Sequence, residues 1–391
     1  MKTLFTQIFI IFTISISISQ AQMVTTIAGP NSNINDALIM GDDGNIYGSY
    51  FSNTNNGAIY KITPDGNVSL FSDGYSACNG LDFDHEGYLY VVDFTSNINT
   101  HQIYKLDENG NKAAYGPNVQ GASGIIFDPN SDTLYISSYN SNVNAILKMS
   151  PDGNVINYCN HSDLNGPVGM AFDDEGILYV ANFTDGEIYT VSHGGDSLTL
   201  LANIPSSSWW GVGFITYASG YIYATGIGKH IVYQISLDGN VIEYAGTGQA
   251  GLEDGQAQTA KFNRPNGITT NAAQDTIYIS DYTTQAIRMI TETPVGISNL
   301  EWKQDKGFEL FQNYPNPVKG TTTISYSIKK AAQIEIKLIS SEGRIIKTWG
   351  SKYHQTAKYE LEIDLSDMAS GLYFYSLESN GIIESKKLMI K

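Results

Sequence analysis

The 391-residue sequence has few cysteines, few tryptophans and few basic residues. Its two cysteines, Cys78 and Cys159, cannot make the disulfide framework of a small secreted scaffold. A single bridge between them stays open, although two unpaired and half-buried thiols are the simpler expectation. No stretch carries the 3.6-residue apolar period of a long amphipathic helix. The 26 tyrosines and 38 glycines instead predict an all-β protein rich in tight turns.

Positive charge is scarce and unevenly spread. Residues 23–295 hold 8 Lys and Arg against 28 Asp and Glu, a net charge of −20, whereas residues 308–391 carry a net charge of +2. Nucleic-acid binding is excluded as a function of so acidic a body, because phosphates require a cationic surface. Binding of cations or basic partners is compatible with this negative charge. Solubility outside the cell is the simplest explanation of the charge.

The only long apolar run lies at the N-terminus. Lys2 precedes an apolar segment at residues 4–18, and Ser19, Gln20 and Ala21 form a small-x-small cleavage site. This pattern predicts a signal peptide at residues 1–21, and the run is too short and too rich in Ser and Thr for a membrane span. We therefore expect a mature chain that begins near Gln22 and has no transmembrane segment.

An internal repeat extends through most of the chain. A hydrophobic residue followed by tyrosine recurs with spacings of 43, 45, 44, 44 and 55 residues, at Tyr47, Tyr90, Tyr135, Tyr179, Tyr223 and Tyr278. A period near 44 accommodates the four short strands of one propeller blade. The sixth repeat lacks an outer strand, whereas residues 24–29 resemble the outer strand at 241–246. The sequence thus predicts a six-bladed β-propeller over residues 22–292, closed by the N-terminal strand.

Short motifs support this interpretation. Pro265-Asn266-Gly267-Ile268, the Ala245-Gly246-Thr247-Gly248 stretch, and Asp254-Gly255 followed by Ala260-Lys261-Phe262 resemble NHL-repeat propellers. The phrases at residues 62–68 and 149–155, which share a Pro-Asp-Gly-Asn-Val core, resemble streptogramin lyase propellers. The resemblance covers about residues 24–292 and implies the fold, which hosts many activities.

The last 84 residues differ in composition and follow a polar linker at 293–307. Short alternating strands with frequent turn signals predict a small β-sandwich over residues 308–391. The segment closely resembles the type A C-terminal sorting domain of the type IX secretion system. That resemblance implies export to the surface or medium and the secretion machinery as a partner; a carbohydrate-binding or adhesion module is the alternative. Its landmarks are Tyr314, Pro315, Asn316, Pro317, Gly371, Tyr373 and Lys387.

Candidate ligand-binding residues follow each anchor tyrosine, where the chain enters the loop between strands two and three. Loops at this face of a propeller commonly hold ligands. The third place after the tyrosine gives Tyr50, Asp93, Ser138, Asn182, Gly226 and Asp281. The fourth gives Phe51, Phe94, Tyr139, Phe183, Ile227 and Tyr282. Aromatic platforms beside Asp and Asn suit a sugar, although a repeated aromatic also packs between blades.

Two further features interrupt the repeat. Trp209 and Trp210 lie between repeats four and five and predict either a ligand clamp or packing over the channel mouth. The loop at residues 246–264 accounts for the 55-residue spacing and is a candidate lid. We take Asp93, Asn182, Asp281, Tyr139 and Tyr282, with the two tryptophans, as the predicted ligand-binding set.

Two enzymatic alternatives come from the resemblance. Regucalcin-type lactonases share the fold and bind a divalent cation such as Ca²⁺ through Glu, Asn and Asp. Asn79 and Asn266, each before a glycine, match their Asn ligand in form, but no counterpart of the family's Glu is evident, and the side faced by Asp82 is open.

Streptogramin lyases rely on paired histidines with a glutamate, whereas the five histidines of the predicted propeller are scattered, at His85, His101, His161, His193 and His230. We expect a binding or interaction propeller without a required cofactor, for a glycan, peptide or protein. A metal-dependent hydrolase or lactonase is the alternative.

Overall fold

The computed structural model describes residues 21–52, 54–139, 144–206, 210–293, 307–340, 344–379 and 382–391. Residues 1–20 of the predicted signal peptide (residues 1–21), Trp209 and most of the predicted linker lie outside them. The chain divides into two compact units, residues 1–295 and 296–391. In the described part of the chain, helix is confined to two short 3-10 turns, Ile98–Thr100 and Ile227–Lys229. No described helix has the length and hydropathy that crossing a bilayer requires.

The first unit consists of antiparallel sheets that follow one another along the chain, and each is called a blade. Its described residues contain six such sheets. Blades one to three contain β2 (Leu38–Met40), β3 (Ile46–Tyr50), β4 (Gly57–Ile62), β5 (Val68–Tyr75); β6 (Cys78–Phe83), β7 (Leu89–Asp93), β8 (Gln102–Leu106), β9 (Lys112–Tyr115); β10 (Ala122–Phe127), β11 (Leu134–Ser138), β12 (Ala145–Met149) and β13 (Val155–Cys159).

Blades four to six complete the set. They contain β14 (Pro167–Phe172), β15 (Leu178–Asn182), β16 (Glu187–Val191), β17 (Leu198–Asn203); β18 (Val212–Ala218), β19 (Tyr221–Gly226), β20 (Ile231–Ser236), β21 (Val241–Ala245); β23 (Pro265–Thr270), β24 (Thr276–Asp281), β25 (Ile287–Thr293), and the N-terminal strand β1 (Ala21–Ala28) with β22 (Gly255–Gln256) beyond it.

The blades form a closed ring. The inner strand of each blade contacts the inner strand of the next, and β23 of blade six contacts β2 of blade one. The fourth strand of blade six is β1, which pairs antiparallel with β25, with Val24 opposite Ile290. The N-terminal strand therefore supplies the outer strand that the last repeat lacks, and this pairing covers an edge that would otherwise be open.

The anchor tyrosines hold neighbouring blades together. Tyr47 packs edge-on against Phe83 of the next blade, with ring centroids 5.2 Å apart. Tyr90 contacts Phe127 in the same way at 4.8 Å. Such edge-to-face pairs are favoured over stacked ones and lie within apolar clusters between sheets. The tyrosine period of the sequence thus reflects the interlock between blades.

A charged clamp secures the ring closure. Arg288 of β25 is fully buried, and its Nη2 donates to the Asp254 carboxylate at 2.8 Å and to the Glu253 carbonyl at 2.9 Å. The other Asp254 oxygen accepts from the backbone N–H of Thr26 in β1 at 3.0 Å. Burial raises the pKa of Asp254, but the Thr26 hydrogen bonds and the Arg288 charge outweigh burial and lower it. The long loop at residues 246–264 therefore fastens the N-terminal strand.

At Gly267, the inner strand of blade six approaches blade one so closely that a side chain does not fit between them. A Cβ atom added at Gly267 would lie 1.9 Å from the Asp36 carbonyl oxygen of blade one. The Ser280 hydroxyl donates to this same carbonyl at 2.6 Å and accepts from the Gly267 N–H at 2.8 Å. The glycine is thus required by the backbone contact between blades six and one.

The second unit is a small two-layer β structure. Alternate residues of β28 and β29 point into its core, as the sequence alternation predicts. The last strand, β33, pairs antiparallel with β32, and Val318 of β27 lies parallel beside Ile390. The strands are β26 (Phe308–Leu310), β27 (Tyr314–Lys319), β28 (Thr321–Ile328), β29 (Ala332–Ser340), β30 (Ile345–His354), β31 (Ala357–Asp364), β32 (Gly371–Ser379) and β33 (Ile382–Ile390).

We predict that Gly267→Ala destabilises the first unit by about 1–3 kcal/mol or more, because the added methyl meets a backbone carbonyl that cannot move aside. Gly29→Ala is the matched control, since no heavy atom lies within 4 Å of its added Cβ. Urea denaturation followed by fluorescence measures both. Equal stability of the two variants would contradict the close contact.

Candidate functional site

A cavity of about 220 Å³ opens among the loops at one end of the ring axis. Its walls are six aromatic side chains and its floor is made of residues from the inner strands, and its lining is mostly apolar. The wall residues are Phe51, Phe94, Tyr139, Phe183, Trp210 and Tyr282; the remaining lining residues are Asp36, Asn79, Ser123, Val168, Phe214 and Asn266.

A repeated backbone hydrogen bond positions the wall residues. The N–H of Phe94 donates to the Ala77 carbonyl at 2.8 Å, in the segment that leads into the inner strand of the same blade. Tyr139, Phe183 and Tyr282 make the equivalent bond at 2.7–2.8 Å. In blade five the equivalent residue is Ile227, which is fully buried, and Trp210 lines the cavity instead.

The wall residues support one another around the mouth. Ring centroids lie 5.9 Å apart for Tyr139 and Phe183, 5.9 Å for Phe183 and Trp210, and 5.6 Å for Trp210 and Tyr282. Phe51 and Phe94 are also 5.6 Å apart. These contacts cross from blade to blade, so the repeated aromatic both packs between blades and lines the cavity.

The floor combines polar and apolar positions. The residue after the first residue of each inner strand is Asn79, Ser123, Val168, Gly213 and Asn266 in blades two to six, and Asp36 takes the equivalent place in blade one. Two of the hydrogen bonds that join neighbouring blades connect side chains of the floor. Asn266 Nδ2 donates to Asp36 Oδ1 at 2.6 Å, and Asn79 Nδ2 donates to Ser123 Oγ at 3.1 Å.

Asp36 is the carboxyl group of the floor. Only 5% of its surface is exposed. Burial raises the pKa of Asp36 to about 7, although the hydrogen bond from Asn266 opposes this shift. Oδ2 accepts no hydrogen bond from any residue that the structure describes. The floor therefore holds one carboxyl group that changes charge near neutral pH.

Phe214 lies beneath the floor. The inner strands of the other blades carry Ala37 or glycine at this register, and the ring of Phe214 extends into the space that they leave. It lines both the aromatic cavity and a second pocket along the inner strands. It also packs against apolar clusters from both sides of the axis.

The three predicted acidic and amide residues are used by the loops and do not line the cavity. Asp93 Oδ1 accepts from the Ser76 N–H at 2.7 Å, and Asn182 Nδ2 donates to the Asp163 carbonyl at 2.8 Å. Asp281 lies 3.4 Å from Arg288 Nη1. All three side chains are at least 92% buried. They organise the segments that carry the aromatic walls.

The other predicted residues fall in the cavity or outside the described residues. Tyr139, Tyr282, Trp210, Asn79 and Asn266 line it, whereas Trp209 is not described. Sequence reasoning missed Asp36. The signal that finds it is its register, because it stands immediately before Ala37, where Asn79 and Asn266 stand before glycines in their own blades.

The remaining candidates have structural environments. His101 is buried and bonds to the Ala122 carbonyl at 2.8 Å, while the Arg264 N–H donates to His230 Nδ1 at 3.0 Å. Asp82 accepts from the Phe127 N–H at 2.6 Å and lines the second pocket. Among the residues described, no three His, Cys, Asp or Glu side chains converge as metal ligands would.

The two cysteines are free and buried. Cys78 is 0% and Cys159 2% exposed, so the expectation of half-buried thiols is wrong. Burial raises the pKa of both thiols. Both side chains lie within the apolar clusters that join neighbouring blades, which explains their burial.

In the second unit, the predicted sorting landmarks meet along adjoining strands. Asn316 Oδ1 accepts from the Met389 N–H at 2.8 Å, and Asn316 Nδ2 donates to the Lys387 carbonyl at 3.3 Å. Tyr314 is 82% exposed. Tyr373 lies opposite Leu388 in the neighbouring strand. The aromatic-proline segment is thus held against the C-terminal strand.

Residues 312–391 match the family of secretion system C-terminal sorting domains. The second unit is a sorting domain of this family. It directs export through the type IX secretion route to the cell surface or extracellular space, and the secretion machinery is accordingly a partner of the chain. The sequence-based prediction of export through the type IX secretion route is confirmed.

Solved structures resemble the first unit in fold. An auxiliary nutrient binding protein from Bacteroides ovatus has a TM-score of 0.59 at 17% identity, covering 70% of this chain and 78% of that one. A gluconolactonase from Xanthomonas campestris has a TM-score of 0.53 at 15% identity, covering 68% and 89%. A streptogramin B lyase has a TM-score of 0.50 at 14% identity, covering 70% and 98%. These likenesses confirm an all-β propeller.

One curated relative shares a short segment. The chloroplastic protein SUPPRESSOR OF QUENCHING 1 of Arabidopsis thaliana is 31% identical over 81 residues. The match covers 21% of this chain and spans only 7% of the length of that relative.

We predict that Asp36 contributes to the pH dependence of stability. Its pKa is raised to about 7, so its favourable contribution is full below the unfolded pKa of about 4 and is lost as pH rises through 7. The amide introduced by Asp36→Asn does not titrate and stays neutral at every pH of the measurement. The fall in the free energy of unfolding from about pH 5 to about pH 8 should therefore be smaller by about 2 kcal/mol in the variant.

Asp43→Asn is the control for this measurement. Burial raises the pKa of Asp43, but hydrogen bonds from Lys61 and Asn45 outweigh burial and lower it to about 2. Its charge is therefore constant over the measured range, and its removal leaves the slope unchanged. A slope in Asp36→Asn identical to that of the parent would show that Asp36 is ionised throughout.

Proposed function

We propose that the exported propeller is a binding module whose ligand is a small molecule, or one ring of a larger molecule such as a glycan or peptide, held in the aromatic cavity. The observation that carries this proposal is the meeting of six aromatic side chains and a polar floor at one end of the ring axis. Ligand sites are commonly concave, mostly apolar and oriented by a few convergent polar groups.

The size of the cavity sets the scale of the ligand. A volume of about 220 Å³ corresponds to roughly seven water molecules at about 30 Å³ each. One six-membered ring with a short substituent fits, whereas a folded protein surface does not. The aromatic faces favour a ring with a flat apolar side, and the floor residues Asp36, Asn79, Ser123 and Asn266 favour a hydrogen-bonding group at its inner end.

The cavity walls are held in place by their own packing. Phe183 contacts both Tyr139 and Trp210, and each of these aromatics is anchored by a blade. A preformed site loses little conformational entropy on binding, which supports affinity for a small ligand. The likeness in fold to a nutrient binding protein supports a binding role outside the cell without indicating the ligand.

We predict that Trp210→Ala weakens ligand binding at least about tenfold, because it removes the wall that spans the gap between Phe183 and Tyr282. Ligand-observed NMR of the mature chain against monosaccharides, amino acids and small aromatic compounds identifies and ranks the ligands. Tyr221→Ala is the control, since Tyr221 is 39% exposed and does not line the cavity. Binding that is unaffected by Trp210→Ala would place the site elsewhere.

A divalent-cation hydrolase is the second candidate, because Asp36, Asn79 and Asn266 bring oxygen-bearing side chains from three blades to the floor. The residues do not fit a hard cation well. Asp36 is the one carboxylate in this set, and the equivalent positions Val168 and Gly213 supply no oxygen ligand. Asn266 also turns its amide N–H toward Asp36. Calcium prefers six to eight oxygen ligands with several carboxylates.

We therefore expect millimolar calcium to leave the thermal unfolding temperature of the mature chain unchanged, because a ligand that binds only the folded state would raise it. Differential scanning calorimetry with calcium and with a chelator makes the comparison. A rise of several degrees that disappears in Asp36→Asn would establish a cation site on the floor and favour the hydrolase.

A further inference from the structure

The cavity places a carboxyl group at the base of an aromatic enclosure. Asp36 Oδ1 accepts the hydrogen bond from Asn266, and Oδ2 has no partner among the described residues. Asp36 is 5% exposed and is one of the residues that line the cavity. A carboxylate oxygen that accepts no hydrogen bond from the protein can accept one from a ligand that brings an N–H group.

The walls favour positive charge as well as apolar surface. The faces of Phe, Tyr and Trp rings carry negative electrostatic potential and attract cations within about 6 Å of the ring centroid. Trp210 already makes such a contact, because the Arg264 guanidinium carbon lies 5.0 Å from its ring centroid. Arg264 is not among the residues that line the cavity.

The charge of the surrounding unit acts in the same direction. Residues 23–295 carry a net charge of −20. A strongly negative protein raises the local concentration of cations and repels anions. Ligands with a carboxylate or phosphate group are disfavoured twice, by this field and by Asp36.

We propose that the ligand of the aromatic cavity is an organic ammonium ion, whose N–H groups donate to Asp36 and whose apolar body lies between the aromatic walls. This inference rests on the proposed function, because it names the chemical class of that same ligand. The carboxyl, amide and hydroxyl side chains of Asp36, Asn79, Asn266 and Ser123 lie on the floor, whereas the walls are aromatic. An ammonium group with an apolar body matches this division.

The floor adjusts its charge to the ligand. The titratable groups that interact with Asp36 are Tyr282 and Cys78, and burial raises the pKa of both, so neither carries charge near neutral pH. Asn266 is neutral. Burial raises the pKa of Asp36 to about 7. Binding of a cation therefore favours the ionised carboxylate, and affinity for an ammonium ion should rise as pH increases from about 6 to about 8.

The test compares two probes of equal size on the mature chain. 2-Phenylethylamine carries an ammonium group at neutral pH, and 2-phenylethanol carries a hydroxyl group in its place. Isothermal titration calorimetry or ligand-observed NMR measures both affinities for the parent, Asp36→Asn, Trp210→Ala and Asp43→Asn. Asp43→Asn removes the same charge from an exposed side chain outside the cavity, so it controls for the general field.

We expect the parent to bind the amine at least about tenfold more tightly than the alcohol, as a charge-assisted hydrogen bond and the aromatic faces require. Asp36→Asn should abolish this preference, and Asp43→Asn should retain it. Trp210→Ala should weaken both probes.

Equal affinities for the two probes, or a preference that survives in Asp36→Asn, would overturn the ammonium assignment while leaving the cavity as a binding site. Absence of binding by either probe would also overturn the assignment. The Trp210→Ala comparison with the broader panel then decides separately whether the proposed function itself stands.

Discussion

The structure depends on the pairing of the N-terminal strand with the last repeat. Strand β1 lies against β25, and the buried guanidinium of Arg288 ties β25 to Asp254, which in turn holds Thr26. The same closure builds the floor of the cavity. The hydrogen bond from Asn266 to Asp36 joins blade six to blade one, so the seam of the ring passes through the candidate site. The strand pairing that closes the ring therefore also sets the geometry of the candidate site.

Much of the fold follows from local patterns in the sequence. The tyrosine period reports the contact between blades, since Tyr47, Tyr90 and Tyr135 each pack on a phenylalanine of the following inner strand. The spare strand at the N-terminus was evident because the sixth repeat lacks one. The short strand Gly255–Gln256 and the role of Asp254 were not predictable, because they depend on contacts between segments more than 200 residues apart.

The residues of the candidate site were predictable only where they occupy the same position in successive repeats. The register after each tyrosine gave five of the six walls, but in blade five a buried Ile227 occupies that register and Trp210 comes from another loop. Asp93, Asn182 and Asp281 had the right chemistry and register for ligand contact. Whether a polar side chain faces a cavity or a backbone N–H is decided by tertiary packing, which a single sequence does not reveal. Asp36 was missed since no glycine follows it.

Phe214 closes the propeller axis beneath the aromatic cavity. In a ring whose inner strands carry only small residues at this register, a linear polymer could thread through the centre. Here the phenyl ring stands between the aromatic cavity and the pocket beyond it. A ligand held in the aromatic cavity would therefore enter and leave at the same end of the ring.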